Sequence, residues 1–122
     1  MTIIEAINRI DTLKPNRYEL SDKVRWLSTI DGVIKAEIID THESGENIEF
    51  KGYREDELYT KLIADAPYDD IYVKWLEAQI DYANGEYGKY NNSITTFNAA
   101  FDSYSRFYNR THMPKQKDFT HF

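Results

Sequence analysis

Glu77 and Asp81 stand four residues apart in a stretch that reads as helix, so both carboxylates fall on one face. That is a spacing acid–base catalysis or cation binding would use, but no histidine or third carboxylate lies in register with them. The pair therefore reads as part of a solvated polar stripe. The three histidines, His42, His112 and His121, fit no His-Glu-x-x-His arrangement, and no two fall on one helix face. With no cysteine in the chain, thiolate ligands, disulfides and cysteine nucleophiles are all excluded. The five glycines are scattered singly and build no phosphate-cradling loop, and no serine sits in a nucleophile elbow. The sequence points away from an enzyme and calls for no cofactor or metal.

Composition directs attention to surfaces. The 122 residues suffice for one domain with a single core. Ten Tyr, six Phe and two Trp give 15% aromatics. Tyrosine offers large contact area with a hydroxyl that tolerates water, which suits either a core or a face buried only in a complex. The net charge of −6 argues against broad binding to phosphate backbones. No basic segment followed by an apolar run opens the sequence, and no apolar stretch nears the ~20 residues of a membrane span, so a cytoplasmic protein is expected.

Four helices are expected, over about 2–13, 22–41, 67–84 and 86–109. Thr2 and Glu5 form a capping box ahead of Ile3, Ile7 and Ile10, and Pro15 ends that helix. Ser21 suits the N-cap of the second helix, where Val24, Leu27, Ile30, Ile34 and Ile38 make an apolar stripe and Gly32 allows a close approach or a kink. Pro67 fits the first turn of the third helix. There Asp70, Lys74, Glu77, Asp81 and Asn84 leave one narrow polar stripe, so the helix is central in its bundle or packs on a neighbouring subunit as well. Gly85 suits the left-handed position after it. In the fourth helix Tyr87, Tyr90, Ile94, Phe97, Phe101, Tyr104 and Tyr108 step by threes and fours, a heptad seam that predicts long antiparallel packing on the third.

Between helices 2 and 3, over about 43–66, the helical pattern lapses. Asn47 to Lys51 alternates at period two, and seven acidic against three basic residues over 43–65 leave a net charge of about −4. This segment is either a solvated acidic loop or a short extended (β) arm that contacts a subunit, with Leu58, Leu62 and Ile63 pinning it to the bundle. From Arg110 onward the charge is about +2, and residues 115–122 form an aromatic–basic tail, frayed or docking. The expected fold is all-α: a small helical bundle over 1–114 built on a long antiparallel hairpin, with the tail outside it. Candidate subunit or partner contacts are Ile48, Phe50 and Tyr53 of the arm, Tyr68, Tyr72 and Trp75 around the third helix, and Lys115, Lys117, Phe119 and Phe122 of the tail.

One run of residues carries a family resemblance. It spans Tyr68-Asp69-Asp70-Ile71-Tyr72, Trp75-Leu76-Glu77-Ala78-Gln79-Ile80-Asp81-Tyr82, Asn84-Gly85-Glu86-Tyr87, Lys89-Tyr90-Asn91-Asn92-Ser93, Phe97-Asn98 and Tyr108-Asn109-Arg110-Thr111-His112-Met113-Pro114. Trp26-Leu27-Ser28 and Asp40-Thr41-His42-Glu43 fit the same pattern. With nearly the whole chain covered, the sequence resembles small proteins from the structural-gene clusters of tailed phages and prophages of Gram-positive bacteria, the head–tail connector or adaptor proteins. The resemblance implies a helical adaptor in the virion neck, present in the host cytoplasm during assembly and forming a ring of about twelve subunits. It implies contacts with the portal protein on one side and a stopper or tail-completion protein on the other, with DNA only in passage through the lumen and no membrane. A phage-encoded binding module, acting as monomer or dimer on a host or phage partner, is the alternative.

Overall fold

The computed structural model describes residues 1–42 and 49–113. Within them lie four α-helices, α1 (Ile3–Leu13), α2 (Leu20–Glu37), α3 (Asp70–Ala83) and α4 (Tyr87–Thr111), with a 3-10 turn at Ile39–Thr41 and no strand. The fold is all-α. None of these helices is long and apolar enough to cross a membrane.

Local chemistry sets the helix ends. Thr2 Oγ1 accepts from the Glu5 amide at 3.3 Å while the Thr2 amide donates to Glu5 Oε1, closing the capping box. The Thr2 hydroxyl and amide together hold the Glu5 carboxyl below its usual range. α2 starts earlier than Ser21 predicts: Glu19 is the N-cap, and its amide donates to Asp22 Oδ2 at 3.3 Å, so Ser21 lies inside the first turn. At its other end the α-helix stops at Glu37, and Ile39–Thr41 tightens to 3-10 geometry as Thr41 Oγ1 donates to Ile38 O at 2.7 Å. Pro67 lies ahead of α3 rather than in its first turn: it follows a cis peptide from Ala66, in a turn where the Tyr68 amide donates to Asp65 O. Gly85, at φ +74°, takes the left-handed conformation at the α3–α4 turn.

α3 is the central helix. It packs against α1, α2 and α4, while among the described residues α4 packs against no other helix. Ile71, Tyr72, Leu76 and Ile80 of α3 are buried with Ile3, Ile7 and Ile10 of α1 and Val24, Leu27, Ile30 and Ile34 of α2. From the far side Phe97, Tyr104 and Tyr108 of α4 join them. The α3–α4 contact is aromatic along its length, from Tyr68 stacked on Phe107 at 4.6 Å, through Trp75 and Phe97 at 5.0 Å, to Tyr82 and Tyr90 at 5.2 Å.

The segment from Glu49 to Asp69 is a docked loop. Residues 49–51 of the expected strand are coil, and 43–48 lie outside the described residues. Its backbone finds partners on the body instead of in a ladder. The Ile3 and Ile4 amides donate to Thr60 O and Leu58 O, the Leu62 amide donates to Met1 O, and Thr2 and Lys61 form an isolated antiparallel bridge. Leu62 and Ala64 are fully packed in the core.

Candidate functional site

The two carboxylates with catalytic spacing have different environments. Asp81 is 1% exposed and pairs with Lys14 Nζ, which reaches across from the end of α1. Glu77 opens on a shallow cleft of about 230 Å³ lined by Lys14, Asp81, Lys89, Asn92, Ser93 and Thr96. One carboxylate thus clamps α1 to α3 and the other meets solvent, so the even polar stripe expected of α3 is interrupted at Asp81. Among the described residues no group of three or more histidines or carboxylates is placed to hold a metal ion.

A second carboxylate is wholly enclosed. Asp31 of α2 is 0% exposed and accepts from the Tyr72 hydroxyl at 2.6 Å, the Ile63 amide at 3.0 Å and the Tyr53 hydroxyl. Tyr72 Oη accepts in turn from the Ala64 amide at 2.7 Å. Burial raises the Asp31 carboxyl above its usual range, against the pull of its three donors, and burial beside Asp31 raises both tyrosine hydroxyls. With both oxygens engaged from inside, this node ties the 53–64 segment to α2 and α3. The sequence held a sign of it: Asp31 stands at the 3–4 spacing of Val24, Leu27 and Ile34, a carboxylate on an otherwise apolar face.

The predicted contact residues are placed as follows. Phe50 and Tyr53 are half-buried, their rings 5.1 Å apart edge to face, with Phe50 lying against Gly32 and the Tyr53 amide donating to Ser28 Oγ at 2.8 Å. Gly32 therefore accommodates the Phe50 ring, not a neighbouring helix. Tyr68 stacks on Phe107, and Trp75 Nε1 donates to Trp26 O at 2.8 Å. Tyr72 is fully buried and offers no surface to a partner, because its hydroxyl is committed to Asp31. Ile48, Lys115, Lys117, Phe119 and Phe122 lie outside the described residues.

Different aromatics are exposed. Tyr82 and Tyr87, 56% and 60% exposed, flank the Asn84–Glu86 turn with ring centroids 5.6 Å apart, and Tyr90 closes on Tyr82. The Tyr18 hydroxyl donates to Asn84 Oδ1 at 2.6 Å and braces the turn from the α1–α2 loop. Periodicity assigned Tyr87 to the buried seam; the turn at Gly85 instead leaves the first residue of α4 out in solvent.

At the other end of α3 and α4, His42 is buried. Its Nδ1 donates to Ile38 O at 2.6 Å, Nε2 lies 2.8 Å from Asn109 Oδ1, and its ring meets Tyr108 edge-on at 4.7 Å. His112 stacks flat on the same Tyr108 at 3.7 Å, so the two imidazoles are 6.3 Å apart. Beside them Ile39, Ile63, Asp65, Ala66, Tyr104, Phe107, Tyr108 and His112 line a groove of about 470 Å³. Burial raises the Tyr104 hydroxyl above its usual range. The sequence kept these histidines apart because they lie seventy positions from each other; only the packing of the 39–42 turn on α4 joins them. Comparison with known protein families, with curated proteins and with solved structures finds no match for this chain.

Proposed function

We propose that this chain is a non-catalytic structural protein, a head–tail adaptor in the neck of a tailed phage or prophage. In this reading about twelve copies close into a ring between the portal and a stopper or tail-completion protein, and DNA passes through the lumen. The resemblance along α3 and α4 motivates it. The observation that carries it is the position of α4, a 25-residue helix that packs on α3 alone among the described helices. Asn91, Asn92, Thr95, Asn98 and Asp102 are exposed on its outer side. A polar, weakly charged face of that length, with a tyrosine cluster at one end, suits a wet interface between copies. α3 and α4 then serve as the long antiparallel hairpin of the adaptor, while the 49–66 segment stays docked on its own body. An acidic chain would also release DNA in transit rather than grip it.

Native mass spectrometry of the chain alone and mixed with the portal oligomer tests the proposal. Ring-sized assemblies, free or on the portal, are expected; a strict monomer that ignores the portal would sink it. The compact Tyr82, Tyr87 and Tyr90 cluster favours one second reading, a binding module that grips a single soluble partner. That reading predicts one-to-one complexes and no ring.

A further inference from the structure

The groove beside Tyr108 lies where the chain leaves the helical body. His112 lines it, and backbone angles there are extended (φ −132°, ψ 137°), so the chain departs α4 at the groove's rim. Its walls are aromatic and aliphatic, chiefly Tyr104, Phe107, Tyr108 and Ile63, with Asp65 as the acidic group among them. About 470 Å³ falls within the about 300–1,000 Å³ typical of sites that enclose an apolar ligand. Residues 114–122, Pro-Lys-Gln-Lys-Asp-Phe-Thr-His-Phe, follow directly. They carry two phenylalanines that water disfavours and two lysines opposite in charge to Asp65.

We infer that residues 114–122 of the same chain dock back into this groove, with Phe119 or Phe122 seated among Tyr104, Phe107 and Tyr108 and a lysine near Asp65. Reach permits it: Phe119 stands six residues beyond Met113, about 20 Å of extended chain. Tethering favours it over the same segment of another copy, because a segment joined to its site through a few residues is present at about millimolar effective concentration. This inference stands whether or not the chain forms rings.

Competition tests it in the full chain. A fluorescein-labelled peptide of residues 114–122 is titrated into the wild-type protein and into a Phe119→Ala/Phe122→Ala variant, both checked for unchanged far-ultraviolet circular dichroism. The variant should bind the peptide at least about tenfold more tightly, because its own segment no longer competes. Adding Asp65→Lys, at an exposed position, to the double variant should weaken the peptide several-fold. Equal or tighter binding by the wild type would mean that the groove is open and available to a second copy, which overturns the inference. So would the absence of binding to both proteins, or an affinity indifferent to Asp65→Lys.

Discussion

Asp31 shows how one residue can join three elements. Its carboxylate gathers hydroxyls from Tyr53 and Tyr72 and an amide from Ile63, all beyond the reach of local sequence pattern. Burial raises its pKa in the folded state, so the folded chain holds that proton more tightly than the unfolded chain does. The stability this group adds is complete below the unfolded value, about 3.9, and is lost as pH rises through the raised folded value. An Asp31→Asn variant keeps one acceptor and cannot ionise. We expect it to be about 1–3 kcal/mol less stable than wild type near the acid end, with the gap narrowing toward pH 7. Urea midpoints of the two proteins across that range decide the matter. A gap that widens with pH would show that the donors, not burial, set the charge state.

At the scale of elements, two glycines separate local conformation from packing. Gly85 sits at φ +74° with open space around it, so Gly85→Ala should cost about 1 kcal/mol from backbone conformation alone. Gly32 lies inside α2, and a methyl there would stand 3.6 Å from the Phe50 ring, an ordinary contact. Gly32→Ala should therefore gain up to about 1 kcal/mol from helix propensity. The same substitution with opposite sign at two sites is readable as midpoints in urea unfolding. The helices were largely legible in the sequence because Ile3, Ile7 and Ile10, or Phe97, Tyr104 and Tyr108, report burial by spacing alone. Gly85 was legible for the same local reason. What was not legible depends on partners distant in the chain. Lys14 neutralises Asp81 across sixty-seven positions, and the groove draws Ile39, Ile63 and Tyr108 from three separate stretches. Ser21 and Pro67 misled because each suits a helix start, while Glu19 with Asp22 took the α2 cap and Pro67 went into the turn before α3.

At the scale of the whole molecule, the two ends of the α3–α4 pair differ in kind. One carries the His42–Tyr108–His112 stack and the groove; the other carries exposed tyrosines around Gly85. If copies or partners meet through the tyrosine end, Tyr82 and Tyr87 are the anchors, since half-exposed tyrosines on a braced turn lose little freedom when covered. A Tyr82→Asp/Tyr87→Asp variant would add two charges beside Glu86 and remove the apolar area of both rings. Because both side chains are more than half exposed, the fold should tolerate the change within about 1 kcal/mol. Anchors of this type are each worth about 2 kcal/mol, so losing both should weaken association by between about 30-fold and about 1,000-fold, seen as loss of ring or complex peaks in native mass spectra. An unchanged helical spectrum alongside that loss would place the contact at the Gly85 end. Assembly that survives both aspartates would move it to the outer side of α4, where Asn98 and Asp102 become the positions to change next.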